Sequence, residues 1–423
     1  MTDSIEIMAP AGSFESLAAA LQSGADSVYF GIGKLNMRSR ATVNFTPDDL
    51  PEIVRRCHGA GARAYLALNT IIYDSELADM RQLCRAAADA GIDAVIAADV
   101  AVMIGARECG LPVHVSVQAN VSNLEAVKFY ARFAEVLVLA RELTLPQIAH
   151  IIAAIDHDHI CGPSGEKLRI ELFAHGALCV SVSGKCYMSL GIYNSSGNRG
   201  ACFQNCRRAY RVYDEETGAE LVIDNKYVMS PKDICTVNIL DRLIAAGVRI
   251  FKLEGRGRSA DYVRTVTAVY REAATAVTAG DFTPARVAQW RERLTTVFNR
   301  GFWMGGYYLG EPLGEWTGSG GNRASKNKRH LGQVTKYFAR PGVAEVLLGA
   351  AGMHAGDEVL ITGPTTGAVT LTVAALRVDE QPAEQAVKGN TVTFAVPEKV
   401  RANDRVYRLE PRRFGADTPP VNG

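Results

Sequence analysis

Five of the nine cysteines in this 423-residue chain fall in one stretch of the sequence: Cys179, Cys186, Cys202, Cys206 and Cys235. Four thiolates that converge from a loop can hold either a [4Fe–4S] cluster or a structural zinc ion. Zinc ribbons usually contain two closely spaced cysteine pairs, and only Cys202 and Cys206 resemble such a pair. The spacing therefore favours an iron–sulfur cluster, with a zinc site and free, packed thiols as the alternatives.

A cysteine–histidine pair is a second candidate chemistry in the same stretch. His175 precedes Cys179 by four residues, so the two could act as a base and its nucleophile. Such a pair also needs an orienting group and an oxyanion hole, and the sequence contains neither a GxSxG nor an HExxH pattern. We predict that His175 lies at the mouth of the fold as a candidate catalytic residue, with a structural histidine as the alternative.

Other polar residues follow the predicted strands, where a barrel builds its active site. Glu254 and Arg256 end the eighth strand, and we predict that they join His175 as catalytic residues. Substrate-binding residues are predicted at other strand ends and beside the cysteines: Asn36, Arg38, Gln118, Asn120, Arg141, Arg199 and Arg207. Because guanidinium groups bind carboxylates and phosphates through paired hydrogen bonds, the expected partner is a dicarboxylic acid or an RNA backbone. Loop bracing and a solvated arginine face are the alternatives.

Short apolar strands alternate with amphipathic helices up to about residue 170. Seven such units run from the strand IEIMAP to the strand LRIELFAHG, and an eighth strand, RIFKLEG, comes much later. Near-continuous apolar strands separated by helices indicate a parallel sheet that is covered on both faces. Eight units predict a closed (β/α)8, TIM-like barrel of the α/β class, with an open doubly wound sheet as the main alternative.

The long segment between the seventh and eighth strands carries the clustered cysteines. This insertion runs from about residue 177 to about residue 235. In a barrel it leaves from the C-terminal ends of the strands, where active sites lie. We expect Cys235 at the start of the helix that follows the insertion, so that both ends of the insertion bring cysteines to the barrel mouth.

The C-terminal part of the chain has a different pattern. We predict a barrel domain at residues 1–315, a Gly-rich basic linker at 316–330 and a small β-barrel-like domain at 331–415. Short strand patterns with turn residues between them indicate that this last domain is all-β. Three basic residues of the linker are predicted to contact RNA phosphates: Lys326, Lys328 and Arg329. A solubilising linker is the alternative.

Composition and charge restrict the class of protein. Hydrophobic residues make up 48% of the chain, charged residues make up 22%, and the formal net charge is +1. These values are typical of a soluble globular protein and exclude a disordered tail or a strongly basic nucleic-acid coat. The sequence has no signal-peptide pattern and no apolar run of the ~18–20 residues that a membrane span needs. We therefore expect a cytoplasmic protein with no membrane partner.

Several long blocks of the sequence resemble a known family. The similarity is to signature blocks of the collagenase-like peptidase U-32 family: ELFAHGALCVSVSGKCYMS, GNRGACFQNCRRAY, SPKDIC and FKLEGRGRSADYV. The opening segment MAPAGSFESLAAALQSGADSVYFG and the block NMRSRATVNF match the N-terminal pattern of that family. The resemblance covers Ile5 to about Gly310. With its short β domain, the chain is most similar to the members that hydroxylate tRNA.

The resemblance implies a function and a set of ligands. It implies hydroxylation of the tRNA wobble uridine to 5-hydroxyuridine, with prephenate as co-substrate. It also implies an oxygen-labile [4Fe–4S] cluster on Cys179, Cys186, Cys202 and Cys235, with Cys206 as a spare cysteine, and iron–sulfur assembly proteins as partners. The alternative functions are a collagenase-like peptidase and a cluster-carrying partner in another hydroxylation system, for ribosomal RNA or ubiquinone.

Overall fold

The computed structural model describes residues 4–40, 45–218, 220–221, 229–311, 316–317 and 321–412. The first part of the chain contains these strands, in chain order: β1 (Glu6–Pro10), β2 (Ser27–Gly31), β3 (Arg63–Leu68), β4 (Ala94–Ala97), β5 (Val113–Val115), β6 (Val136–Val138), β7 (Arg169–Gly176), β8 (Val212–Tyr213), β9 (Glu220–Leu221), β10 (Asp233–Cys235), β11 (Ile250–Leu253) and β12 (Phe302–Met304). Eight of them, β1 to β7 and β11, are parallel neighbours in one sheet.

This sheet closes into a barrel. Strand β11 pairs in parallel with β1 on one side and with β7 on the other. The predicted (β/α)8, TIM-like barrel is therefore confirmed. The doubly wound alternative is excluded, because an open sheet would leave β7 and β11 without each other as partners.

Helices follow the barrel strands and cover the outside of the barrel. The described residues form these helices: α1 (Phe14–Gln22), α2 (Leu50–Gly59), α3 (Leu77–Asp89), α4 (Val100–Glu108), α5 (Leu124–Ala131), α6 (Leu145–His157), α7 (Met188–Tyr193), α8 (Leu240–Ala245), α9 (Ala260–Thr278) and α10 (Pro284–Thr295). Polar side chains cap several of them, as Ser13 does for α1 by accepting a hydrogen bond from the Ser16 amide. In the described ranges, none of these helices combines the length and apolar character of a bilayer span.

The barrel interior is filled in layers by alternate residues of the strands. At the N-terminal end, buried Glu6 accepts hydrogen bonds from Ser27 and Tyr65 and forms an ion pair with Arg63. An apolar cluster comes next along the strands: Met8, Tyr29, Tyr65, Ala94, Ile96, Val136 and Ile250. These two layers fill the barrel interior below the C-terminal ends of the strands.

A short antiparallel strand ties the insertion back to the barrel. Strand β10 pairs with the end of β7, where Cys235 lies opposite His175, and it also pairs in parallel with β12. The prediction that Cys235 begins a helix is wrong, because neighbouring strands occupy both sides of this backbone. Helix α8 begins only at Leu240.

The C-terminal part is a mostly antiparallel β structure. Its strands are β13 (Lys326–Phe338), β14 (Val343–Leu347), β15 (Met353–His354), β16 (Glu358–Gly363), β17 (Gly367–Thr372), β18 (Leu376–Val378), β19 (Gln381–Ala383), β20 (Gln385–Ala386), β21 (Thr391–Ala395) and β22 (Arg405–Pro411). Eight of them form one sheet. Residues 326–330 were predicted as linker, but they belong to β13 because that strand pairs with β22 from Lys326 onward.

This sheet packs against helices α1 and α9 on the outside of the barrel. Leu360 and Ala368 of the sheet form a buried apolar cluster with Ala19 and Ala260 of the barrel helices. Two ion pairs border the cluster: Arg264–Glu398 and Arg405–Glu15. The sheet and the barrel therefore share a small core.

We predict that Leu360→Ala lowers the free energy of unfolding by about 3 kcal/mol, because the truncation leaves a cavity in this shared core. Leu360 is 1% exposed, whereas Val387, in the same part of the chain, is 63% exposed. Val387→Ala is therefore the matched control, with an expected change below about 0.5 kcal/mol. Urea unfolding followed by fluorescence measures both variants, and equal effects would contradict the shared core.

Candidate active site

A cavity of about 240 Å³ opens at the C-terminal ends of the barrel strands. Inward-facing strand residues line its inner end, among them Tyr29, Ile96, Phe173 and Lys252. Residues from the loops after the strands and from the insertion line the rest. Barrel enzymes build their active sites at this end, so the cavity is the candidate site.

Four thiols of the insertion face this cavity: Cys179, Cys186, Cys202 and Cys206. Burial raises the pKa of the Cys206 thiol to about 11. The neighbouring Arg207 opposes this rise in pKa, and the charges of the other three cysteines add to it. The structure thus brings three of the predicted ligands together, with Cys206 as the fourth thiol of the group.

These thiols fit an iron–sulfur cluster in type and number, because such clusters take four thiolate ligands. All nine cysteines of the chain are free. In the described part of the chain, however, no three His, Cys, Asp or Glu side chains lie in positions that could hold a metal ion. The described thiols therefore share the cavity without being arranged as metal ligands in this structure.

Cys235 lies away from the other four thiols. It is fully buried in the apolar core and does not line the cavity. Since Cys235 is directly opposite His175 in an antiparallel pair, both side chains lie on the same face of the sheet. There the Tyr270 hydroxyl is 3.9 Å from the Cys235 Sγ, and burial raises the pKa of this thiol to about 11.

His175 does not line the cavity either, although the sequence predicted it as a mouth residue. The register between β7 and β11 shifts at this point, because Phe173 is opposite Lys252 whereas His175 is opposite Leu253. The extra residue of β7 turns His175 to the outer face of the barrel. The imidazole packs there against three rings, those of Tyr262, Tyr270 and Phe302. Burial lowers the pKa of His175 to about 3.

Glu254 and Arg256 line the cavity as predicted, and Arg38 lies with them. The Arg38 Nη2 is 2.6 Å from the Glu254 Oε1. Burial alone would raise the pKa of Glu254, but the charge and hydrogen bonds of Arg38 lower it to about 2. The Arg256 Nη1 donates to the Asn36 Oδ1 at 3.1 Å. Gly31 permits this arrangement, because a Cβ at that position would lie 2.6 Å from the Arg256 Nη1.

The cavity carries a large excess of positive charge. Glu254 is the one carboxylate among its described lining residues, whereas the lining cations are Arg38, Arg141, Arg207, Lys252, Arg256, Arg258 and Arg300. Three cations have carboxylate partners, in the pairs Arg38–Glu254, Lys252–Glu171 and Arg300–Asp233. Within the residues that the structure describes, four have none: Arg141, Arg207, Arg256 and Arg258.

The Lys252–Glu171 pair lies at the inner end of the cavity. The Lys252 Nζ is 2.8 Å from the Glu171 Oε1, and the two side chains are 5% and 0% exposed. Burial lowers the pKa of Lys252, Glu171 opposes this shift, and Arg256 and Arg141 lower the pKa further. The sequence analysis did not identify this pair.

The other unpaired arginines are held by neutral groups. Arg207 donates to the Ser230 hydroxyl at 2.9 Å and to the Pro231 carbonyl at 2.7 Å. The Arg258 guanidinium lies 3.5 Å from the centre of the Phe298 ring, and that of Arg141 lies 4.3 Å from the centre of the Phe173 ring. Burial lowers the pKa of both Arg207 and Arg258. Such partners orient the guanidinium groups but do not neutralise them.

Of the remaining predicted substrate-binding residues, Gln118 lines the cavity, whereas Asn120 and Arg199 do not. Arg199 forms an ion pair with Glu76, with its Nη1 2.7 Å from the Glu76 Oε2. Its guanidinium also lies 4.0 Å from the centre of the Tyr73 ring. Arg199 therefore braces the insertion against the segment before α3.

The three predicted RNA-binding residues are engaged in ion pairs on strand β13. Their partners are Glu358 for Lys326 at 2.5 Å, Asp261 for Lys328 at 2.8 Å and Glu410 for Arg329 at 3.7 Å. These pairs hold the sheet together and attach it to α9. Their charge is thus largely offset by neighbouring carboxylates.

Sequence reasoning missed three of the cavity cations, Lys252, Arg258 and Arg300. Lys252 and Arg258 alternate with Glu254 and Arg256 in the segment KLEGRGR, and a period of two places side chains on the same side of an extended chain. That alternation was the available signal. Arg300 carried no such signal, because it reaches the cavity from the segment after α10.

Comparison with known proteins finds one matching family model and several similar proteins. The model of peptidase family U32 matches residues 12–318. A Porphyromonas gingivalis protein named collagenase is 52% identical over 96% of this chain and 98% of its own length. The tRNA hydroxylation protein P1 of Bacillus subtilis is 32% identical over 71% of this chain and 70% of its own length. The 23S rRNA 5-hydroxycytidine C2501 synthase of Escherichia coli is 36% identical over 63% of this chain and 39% of its own length.

The fold and the site define a (β/α)8-barrel protein with a cysteine-bearing insertion over a cationic cavity. The extent of the family match makes the assignment definite, and the chain belongs to peptidase family U32. The family predicted from the sequence blocks is confirmed. Among the three relatives, the one named collagenase is more similar to this chain than those named for RNA hydroxylation.

We predict that His175 makes the stability of the metal-free protein pH-dependent. Its pKa is about 3 in the folded state, against 6.5 ordinarily, so the unfolded chain binds a proton that the folded chain rejects. Stability is then complete above pH 6.5 and is lost as the pH falls towards 3, by about 2 kcal/mol at pH 5. Urea unfolding at pH 7.5 and pH 5 should show that His175→Gln loses about 2 kcal/mol less than the wild type between these values.

The control for this measurement is His157→Gln, which removes an imidazole whose side chain is 88% exposed. It should lose as much stability between the two pH values as the wild type does. An identical loss in His175→Gln and His157→Gln would show that His175 is not a buried neutral imidazole.

Proposed function

We propose that the protein is an RNA hydroxylase that converts the wobble uridine of tRNA to 5-hydroxyuridine, with the dicarboxylic acid prephenate as co-substrate. The observation that carries this proposal is the excess of cavity arginines that have no carboxylate partner among the described residues. The names of two relatives, which specify hydroxylation of tRNA and synthesis of 5-hydroxycytidine in 23S rRNA, support the same class of reaction.

Unpaired guanidinium groups in a cavity favour a ligand with carboxylates, because each can form two charge-assisted hydrogen bonds with one carboxylate. Arg256 is 6% exposed, and burial lowers its pKa to about 10. The buried Arg141 Nε has no hydrogen-bond partner within the described ranges. A bound carboxylate would accept from such donors and stabilise their charge. Two carboxylates on one small molecule would use two of these arginines together.

Glu254 has a different role in this proposal. A carboxylate with a pKa of about 2 is ionised at neutral pH and is a weak general base. It holds Arg38 in place at the cavity and leaves oxygen lone pairs for a donor on the substrate. We therefore assign Glu254 to orientation of the substrate and of Arg38, and not to proton abstraction.

The size of the cavity limits how RNA can reach it. A volume of about 240 Å³ is far too small for a folded RNA. Enzymes that modify a base must take it out of its stack, and single-stranded loops give up a base at the lowest cost. The wobble uridine lies in such a loop, so it can enter the cavity while the rest of the RNA stays outside.

We also propose that Cys179, Cys186, Cys202 and Cys206 hold a [4Fe–4S] cluster. These four thiols share the cavity, whereas Cys235 is buried on the other face of the sheet. Bound there, the cluster would supply electron-transfer or Lewis-acid chemistry beside the substrate. Arg207, next to Cys206, would offset part of the thiolate charge.

We predict that protein purified without oxygen contains about four iron and four sulfide ions per chain. Cys186→Ser and Cys202→Ser should lose most of the iron, because each removes a thiolate ligand. Cys206→Ser should lose it too, whereas Cys235→Ser should keep it. Iron and sulfide assays and the visible absorption spectrum measure this without any activity assay.

The Cys206→Ser and Cys235→Ser variants are matched, since each removes one thiol whose pKa burial raises to about 11. Retention of iron by Cys206→Ser together with its loss from Cys235→Ser would identify Cys235 as the fourth ligand. One zinc ion per chain in colourless protein would reject the iron–sulfur cluster altogether.

We predict that tRNA from a strain without this gene lacks 5-hydroxyuridine and its derivatives, as measured by nucleoside mass spectrometry. The wild-type gene should restore them. Arg256→Gln should not, because the variant loses the charge that binds the co-substrate. The control is Arg81→Gln, which changes an exposed arginine on α3 and should restore them fully. Normal 5-hydroxyuridine in the strain without the gene would reject the proposed reaction.

A peptidase is the second candidate, because the relative at 52% identity is named collagenase. The described residues that line the cavity include Cys179 but no histidine. A Cys179–His175 pair would need His175 to leave its packing against Tyr270. Gelatin cleavage by the purified wild type that is lost in Cys179→Ser would favour this candidate.

A further inference from the structure

The first part of the insertion has an unusual composition. Residues 177–213 contain no Asp or Glu, and their basic residues are Lys185, Arg199, Arg207, Arg208 and Arg211. The whole chain, by contrast, has nearly equal numbers of basic and acidic residues, 46 and 45. The cationic character of the cavity thus continues onto the surface of the insertion.

Apolar side chains are also exposed there. Of the eleven exposed large hydrophobic residues in the described part of the chain, four lie between residues 182 and 193: Val182, Tyr187, Ile192 and Tyr193. Tyr187 is 78% exposed, the highest value of the eleven. Its ring makes no ring contact or side-chain hydrogen bond with any described residue. Exposed apolar groups concentrated in one place indicate a binding surface.

Aromatic and guanidinium groups are stacked together on this surface. The rings of Tyr193 and Phe203 have centres 4.6 Å apart, and the Arg208 Nη1 donates to the Tyr193 hydroxyl at 2.5 Å. The Arg40 guanidinium lies 4.3 Å from the centre of the Phe203 ring. Lys185, Arg208 and Arg211 are exposed and have no carboxylate partner among the residues described.

This surface borders the cavity. Tyr187 follows Cys186, which lines the cavity, and Phe203 lies between Cys202 and Gln204, which also line it. A chain segment lying across the surface would therefore end at the entrance to the cavity.

We propose that single-stranded RNA docks on this insertion surface, formed by Lys185, Tyr187, Ile192, Tyr193, Arg208 and Arg211, and stacks an unpaired base on Tyr187. The inference rests on the proposed RNA hydroxylase function and names the docking surface for its substrate. Base stacking on exposed aromatic rings and phosphate contacts with unpaired cations are how proteins bind single strands. The absence of acidic residues over this segment favours a polyanion over a peptide.

The test uses two RNA probes and the full-length protein. One probe is an anticodon stem–loop with uridine in the first anticodon position, and the other is a blunt RNA duplex with the same number of phosphates. Fluorescence anisotropy gives the Kd of each. Tyr187→Ser should weaken binding of the stem–loop about tenfold and leave duplex binding unchanged, since only the loop offers an unstacked base. Tyr187→Phe keeps the ring and should bind like the wild type.

Two further variants complete the design. Tyr213→Ser removes another exposed tyrosine of the insertion, which is 55% exposed and precedes Asp214, Glu215 and Glu216, and it should bind both RNAs normally. The double variant Arg208→Gln/Arg211→Gln should reduce the slope of log Kd against log salt by about 1.4 for the loop, at ~0.7 per phosphate contact. The iron content of all variants should equal that of the wild type.

The outcomes distinguish an error in the proposed docking surface from an error in the proposed RNA hydroxylase function. If the wild type binds the stem–loop and makes 5-hydroxyuridine in cells, but Tyr187→Ser binds within twofold of it, the docking surface is wrong and the function stands. Equal weakening on stem–loop and duplex would also overturn stacking on Tyr187. If the wild type binds neither RNA and cleaves gelatin, both the surface and the RNA hydroxylase function are wrong.

Discussion

Strand β7 is the element on which the rest of this structure depends. Along its length it pairs with β6 and with β11, and the second pairing closes the barrel. Its last residues also pair with β10, which brings the far end of the insertion back to the barrel. One strand therefore sets both the closure of the barrel and the position of the cysteine-bearing segment. The single extra residue near Ala174 decides which side chains face the cavity.

The described residues that line the cavity carry more positive than negative charge. Burying a cation without an anion is unfavourable, and burial accordingly lowers the pKa values of Arg207, Arg256 and Arg258, which have no carboxylate partner among the described residues. Neutral partners such as Asn36 and aromatic rings fix the groups in place without neutralising them. A site that keeps several guanidinium groups in this state is organised for an anionic ligand.

The sequence was sufficient for the main architecture, because strand–helix alternation is a local pattern and eight units close naturally. For the cysteine group, the spacing favoured a cluster over zinc, and three of the four ligands that the family resemblance implied share the cavity: Cys179, Cys186 and Cys202. The choice between Cys206 and Cys235 could not be made from spacing, since it depends on which face of β10 the Cys235 side chain takes and on where the turn Asn205–Arg207 places Cys206. The outward orientation of His175 arises from a register shift between β7 and β11. The sequence His175–Gly176 gives no indication of this shift.

The basic residues of strand β13 illustrate a second limit of sequence reasoning. They resembled a free cationic linker, but their carboxylate partners come from distant parts of the chain, such as Glu358 for Lys326 and Asp261 for Lys328. The sequence shows how many charged residues a segment contains. Whether those residues form ion pairs depends on which other residues pack against them in the folded protein. The insertion differs in this respect, because its exposed cations have no such neighbours within the described residues.

The contact between Lys328 and the start of α9 has a structural consequence. Asp261 and Ser259, which bind Lys328, follow directly after Arg258, whose own carbonyl accepts a hydrogen bond from the Ser16 hydroxyl. The C-terminal sheet and the arginine segment of the cavity are therefore joined through one short stretch of backbone. The sheet thus contacts the segment that carries a cavity arginine, although no described residue of the sheet lines the cavity itself.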